Sequence, residues 1–159
     1  MDKSYPIETC TFNEIKELWS EELWPMRKSA IEPVSWMDMN GHICNEYADV
    51  RPHFWCIRDS QGKPIAVISG HETPPFGFRS RGLWVSVNYR RQGHATKLMQ
   101  HLVTWATQLK YSQVWTLPRI TSWSFYKSLG FQIIRKSEDY EFGPHYFASL
   151  PLSEKEISL

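Results

Sequence analysis

The chain has 159 residues, 42% of them apolar and 22% charged, which suits one domain with its own core and excludes a disordered or fibrous chain. Its formal net charge of +1 at pH 7 provides no global field for nucleic acid or an acidic membrane, so neither is an expected partner. The cysteines Cys10, Cys44 and Cys56 fit neither a disulfide framework nor a metal-ligand spacing, no apolar run approaches the ~20 residues of a membrane span, and the opening MDKSYPIETC lacks the apolar stretch of a signal peptide. A single domain over 1–159 in a reducing cytoplasm, without metal or membrane, is the expectation.

Residues 4–10 read as a short strand. Thr11 and Glu14 have capping-box spacing ahead of a helix from Phe12 to Glu22, with Ile15, Leu18, Trp19 and Leu23 on its apolar face. Pro25, Pro33 and Gly41 break any long element over 24–50, leaving room for a helical turn or two. His53–Arg58 and Pro64–Gly70 read as strands joined by a turn over 59–63, and Gly82–Val87 as another strand after a loop over 72–77. From Gln92 to Lys110 the period turns helical, with Ala95, Leu98, Met99, Leu102, Trp105, Ala106 and Leu109 recurring at three and four residues. A strand over Gln113–Leu117 and a helix over Thr121–Leu129 follow. Thr121 or Ser122 is placed to cap that helix and Gly130 to end it. Two further strands lie near 131–137 and 141–149. The unit over 82–117 implies one parallel pairing with a crossover helix. Most of the eight Trp residues are expected in the core.

The segment from Val85 to Thr96 carries the sharpest chemistry. It joins a strand to a helix, with Gly93 and Ala95 where the helix begins and Arg90 and Arg91 just ahead. Helix-start N–H groups lack internal partners and the helix dipole favours negative charge there, so small side chains and nearby cations make a phosphate corner. The same arrangement also occurs as an ordinary strand–helix turn with solvated arginines.

Arg90, Gly93 and Ala95 resemble the pyrophosphate signature of the GNAT acetyltransferases. The stretch from Ser124 to Phe131, with Tyr126, Gly130 and Phe131, is similar to that family's second signature. The resemblance implies an α/β fold: a mixed, mostly antiparallel sheet of about six to seven strands with a central parallel pair, flanked by helices. It also implies acetyl-CoA as cosubstrate and direct attack by an amine of a small molecule or protein. Leu83, Trp84 and Val85 would hold the pantetheine arm. Arg90, Arg91, Gln92, Gly93, His94, Ala95 and Thr96 would hold the pyrophosphate. Tyr126 matches the family's general acid. A free tyrosine (pKa ~10) cannot readily give its proton to a thiolate (~8.5), the transfer being uphill by roughly 2 kcal/mol, so hydrogen-bond donation to the leaving sulfur is the better role.

Several positions depart from the family pattern. Arg119 stands where a cofactor-contacting Asn is common, and Ser122 where Ala is common; both are assigned to the cofactor. The strand Gln113–Thr116 lacks the usual basic Glu. His71 and Glu72 are the catalytic-base candidates, with Ser86 and His145 behind them. Freeing a lysine amine at pH 7 costs roughly 4–5 kcal/mol and an α-amine only about 1, so a missing base favours a low-pKa acceptor or a water relay. A narrower similarity, through Ser80–Leu83, Pro118–Trp123, Leu23–Pro25 and Ile31–Pro33, is to GNAT-like proteins of tailed phages. The family often pairs through its C-terminal strands, implying a homodimer as one assembly. A non-catalytic CoA-binding module is the competing reading. A nucleic-acid role through Arg79, Arg81, Arg90, Arg91 and Arg119 is a third.

Overall fold

Thr11 and Glu14 close the expected capping box: the Thr11 side chain accepts from the Glu14 N–H, and the Glu14 carboxylate accepts from the Thr11 N–H at 2.8 Å. In the computed structural model, which describes residues 5–138 and 143–152, this cap starts α1 (Phe12–Leu18) after the short strand β1 (Ile7–Thr9). The helix then widens into a π-helical turn, Trp19–Leu23, rather than running regularly to Glu22. It stops at Trp24, whose backbone is non-helical, because Pro25 disfavours the α conformation in the residue before it. Within 24–50 the one helical piece is a 3₁₀ turn, Asn45–Asp49.

Strands β2 (His53–Arg58), β3 (Pro64–Glu72) and β4 (Phe78–Val85) lead to α2 (His94–Gln108). Then come β5 (Gln113–Thr116), α3 (Trp123–Ser128), β6 (Gln132–Ser137) and β7 (His145–Pro151). The expected start of the last strand, 141–142, falls outside the described residues, as does residue 4. The seven strands form one sheet in the order β1-β2-β3-β4-β5-β7-β6. All neighbours are antiparallel except β4 and β5, which run parallel. The mixed sheet with one central parallel pair is thus the expected architecture.

Strand β4 begins at Phe78, four residues before the expected Gly82. The sequence Phe78-Arg79-Ser80-Arg81 looks too polar for a central strand, yet all four residues are buried. The α3 start also differs from expectation. Neither Thr121 nor Ser122 supplies a side-chain cap; the chain enters through a 3₁₀ turn, Ile120–Ser122. At its far end Gly130 takes φ +99°, with Phe131 N–H bonding Tyr126 O (3.2 Å) and Gly130 N–H bonding Lys127 O (3.0 Å). That is the Schellman pattern the glycine predicts.

The sheet is covered on both faces. On one, Leu98, Met99, Leu102 and Ala106 of α2 pack with Ile57, Ile68, Phe78 and Val114, and Tyr126 and Phe131 join them. On the other, Ile15 and Trp19 pack with Phe54, Cys56, Val67 and Trp84. Trp19, Trp55, Trp84 and Trp115 are buried, whereas Trp36 is exposed.

Candidate active site

The site originates in one glycine. Between β3 and β4 the pairing runs Val67 opposite Trp84 and Ser69 opposite Arg81, so Gly82 and Leu83 together face the single residue Ile68. This is a β-bulge, and Gly82 takes φ +70° within it. A one-residue slip reverses which face each later side chain meets. Leu83 and Val85 accordingly turn to the α2 layer, while Trp84 joins the α1 layer. The bulge also ends the parallel ladder: β4 pairs β5 only at Phe78 opposite Val114 and Arg79 opposite Trp115. Beyond it the strands part, bridged by Thr116 Oγ1–H donating to Ser80 O at 3.1 Å.

Two cavities occupy this region, of about 430 and 460 Å³. The first is bounded by the end of β4, the following turn, the start of α2 and one side of α3. Leu83, Trp84, Val85, Arg90, Arg91, Gly93, His94, Ala95, Thr96 and Ser122 line it. Of the residues assigned to the cofactor, Gln92 and Arg119 do not line it, and Arg119 lies on the second cavity. Helix α2 has Gly93 as N-cap at φ +85°, with no side-chain cap, and its first turn closes with Lys97 N–H to Gly93 O at 3.0 Å. The N–H groups of His94, Ala95 and Thr96 therefore lie beyond the reach of the helix's own carbonyls. A Cβ on Gly93 would meet no described atom within 4 Å beyond its chain neighbours, and Gly93, His94, Ala95 and Thr96 all border the cavity. Arg91 itself takes φ +62°, and Arg90 Nε donates to Val85 O at 3.1 Å. His94 is buried against the edge of Tyr5, and its Nε2 has no partner among the described residues. Burial, then Lys97, holds its pKa below the ordinary histidine value.

The second cavity is lined from β4 by Arg79, Arg81 and Leu83, from the end of β5 by Thr116, from the turn after it by Arg119, from the α1 side by Leu23 and Trp24, and from β7 by His145. Leu83, Ser122 and Tyr126 belong to both cavities, so the Tyr126 side chain marks their junction. Burial pushes the Tyr126 hydroxyl up to about 12, against the opposing effects of the Thr116 hydroxyl and the Arg119 cation. It is protonated throughout the neutral range and so is available there as a hydrogen-bond donor.

Of the base candidates, only His145 lines the second cavity. Its Nδ1–H donates to Gly143 O at 2.8 Å, and burial lowers its pKa, leaving the ring neutral at pH 7. His71 and Glu72 lie at the closed end of the splay, because antiparallel β3 sets its last residues beside the first of β4. Neither lines either cavity. His71 is fully buried, donating from Nδ1 to Glu72 O (3.0 Å) and accepting at Nε2 from Ser35 N–H (3.1 Å). Desolvation drives its pKa down to about 3. The Glu72 carboxylate accepts from the Tyr111 hydroxyl at 3.5 Å. Sequence reasoning grouped Arg79 and Arg81 with Arg90 and Arg91, but the fold separates the pairs, one to each cavity. Their alternation within a strand was the signal available for that division.

The model of the acetyltransferase (GNAT) family matches residues 13–131. No curated protein matches the chain significantly. Among solved structures, Ard1 from Thermoplasma volcanium superposes with a TM-score of 0.71 at 16% identity, over 96% of this chain and 100% of that one. IAA acetyltransferase from Bacillus cereus ATCC 14579 gives 0.67 at 17% identity, over 94% and 100%. The ribosomal-protein-S18-alanine N-acetyltransferase from Escherichia coli gives 0.64 at 17%, over 94% and 95%. At these identities the likeness is one of fold.

Proposed function

Because the chain belongs to the GNAT acetyltransferase family, we propose that it moves the acetyl group of acetyl-CoA directly to a primary amine. The observation that carries this reading is the junction of two cavities at Tyr126, one of them facing an uncapped helix start with an open glycine. Acetyl-CoA would supply an activated thioester. The first N–H groups of α2 take the pyrophosphate, and Arg90 and Arg91 add charge beside them. The backbone of Leu83, Trp84 and Val85 holds the pantetheine arm at the free edge of β4. Ser122, on both cavities, borders that arm.

Tyr126 donates a hydrogen bond to the leaving sulfur. With its pKa at about 12, full transfer to a thiolate of pKa ~8.5 is uphill by roughly 5 kcal/mol, so donation without transfer is its role. Of the base candidates, His145 is the one on the acceptor-side cavity, and it receives the amine proton, directly or through water. His71 and Glu72 take no part.

The test is calorimetric titration of acetyl-CoA into the wild type and into Gly93→Arg. Micromolar binding lost in the variant supports the reading; no binding to the wild type overturns it. Binding without turnover on any amine would favour a CoA-binding regulatory module. The burial of Arg79 and Arg81 removes two cations from any nucleic-acid footprint. This reading includes action in the cytoplasm and pairing of two copies through the β6 edge, where Ile133 and Ile134 are exposed; light scattering of the purified chain tests the pairing.

A further inference from the structure

The charges on the second cavity point to the class of acceptor. Arg81 is 6% exposed, and its guanidinium lies 5.1 Å from the Trp19 ring centroid and 5.4 Å from that of Trp24. Its Nη1 donates to Glu32 O at 2.6 Å, while Nε and Nη2 have no protein acceptor among the described residues. Arg119 likewise spends Nη2 on Leu23 O and has no other acceptor there. Neither arginine forms an ion pair among the described residues. Arg79, stacked on Trp115 at 4.9 Å, and Arg27 add further guanidiniums, and none of the described residues bounding the cavity is Asp or Glu.

A buried cation is costly unless opposite charge or strong hydrogen bonding compensates it. The Glu32 carbonyl oxygen and two Trp faces offset part of that cost for Arg81. The rest can be met by an anion, for which the planar guanidinium fork is the best-matched partner. At about 460 Å³ the cavity has the size of a small-molecule site. The field of these cations reaches the junction: Arg119 acts on Tyr126, and both Arg119 and Arg79 act on His145.

We propose that the acceptor is a small amine carrying a carboxylate or phosphonate, anchored by Arg81 and Arg119, with its amine presented toward Tyr126. The proposal rests on the acetyltransferase reading and narrows it. Acceptors whose only charges are positive, such as polyamines and lysine side chains, are repelled by the same wall. The field also disfavours the ammonium form of the bound amine, so the nucleophile is freed in a site whose described lining holds no carboxylate. The amine lone pair then forms the C–N bond. The C–S bond breaks with its electron pair on sulfur, which the Tyr126 hydroxyl hydrogen-bonds, and the amine proton leaves to His145 or water.

Thiol release from acetyl-CoA by the full chain would be measured for glycine, leucine, phenylalanine and glutamate against their α-carboxamides, with aminomethylphosphonate and spermidine. The amides carry the less basic amine, so general reactivity at neutral pH favours them. We expect the acids or the phosphonate to show roughly tenfold or higher kcat/KM, as for hydrogen bonds to charged groups. Which of them leads identifies the anion. Arg119→Gln should raise KM for the anionic acceptor by a larger factor than for its amide. Arg81→Gln should do the same, with its melting temperature checked because the site is buried. Equal or better use of amides or spermidine overturns the proposal. In parallel, N-acetylglycine and N-acetylaminomethylphosphonate would be titrated calorimetrically into wild type and Arg119→Gln. Binding to the wild type that weakens in the variant supports the anchor, and binding absent or indifferent to the substitution overturns it. If acetyl-CoA does not bind, the acetyl-transfer reading fails, while these titrations still decide the anion site.

Discussion

Replacing Gly82 by alanine tests whether the bulge that opens the site is held by close packing. An added Cβ would fall 2.3 Å from Cζ2 and 2.7 Å from Nε1 of Trp19, a fully buried ring that cannot retreat. It would also sit at φ +70° and crowd the bond from Trp19 Nε1–H to Gly82 O, now 2.9 Å. Left-handed strain costs about 1 kcal/mol, overpacking about 1–3, and a stranded indole N–H about 1–2, together about 3–6 kcal/mol. Urea and thermal unfolding would read this as a melting temperature lower by roughly 6–24 °C. Gly62→Ala is the internal control. Gly62 also has a positive φ, +84°, but a Cβ there meets nothing within 4 Å, so its cost is the strain of about 1 kcal/mol. If the two variants lose equal stability, contact with Trp19 does not hold the bulge, and the account of how the cleft opens is refuted.

Two other substitutions separate chemistry from structure. Tyr126→Phe should lower kcat by about 10²-fold or more while leaving acetyl-CoA affinity nearly unchanged. Because the wild-type hydroxyl titrates at about 12, its rate should show no Tyr126-dependent decline between pH 7 and 10, and a stopped-flow pH series checks both points. His71 titrates at about 3 in the fold and at ~6.5 when unfolded, so it favours the native state above pH ~6.5 and loses that contribution as the pH falls toward 3. The loss amounts to at most about 4–5 kcal/mol. His71→Gln should flatten the acid limb of a urea-unfolding series; an unchanged slope would mean the imidazole is not held neutral.

Local signals in the sequence were legible wherever a few adjacent residues settle the backbone. The Thr11–Glu14 box, the Gly130 terminus and the glycine at the start of α2 each depend on contacts within one turn, and each forms as expected. Elements shaped by distant partners were not legible. Arg79 and Arg81 resemble loop residues until Trp115, Trp19 and Trp24 arrive from other elements to stack on them. Gly82 resembles the start of a strand because the one-residue slip shows only against β3. His71 and Glu72 precede the loop before β4 in the chain, which suggested a place on the cleft. Antiparallel pairing puts them at the opposite, closed end. The connection over 24–50 has no periodicity to read, since side chains of the sheet fasten it: Arg81 donates to Glu32 O and Arg135 to Met39 O.

Among the described residues, the two cavities share only Leu83, Ser122 and Tyr126. Substitutions at distant, unshared positions tend to act independently, whereas those at shared positions couple. If one cavity takes the acceptor and the other the donor, as proposed, a lineage built on this plan could therefore rewrite its choice of acceptor along Trp24, Arg81 and Arg119 while inheriting the grip on the donor intact. Selection would bear on both functions at once only at the three residues of the boundary, which makes them the hinge of the protein's evolutionary freedom.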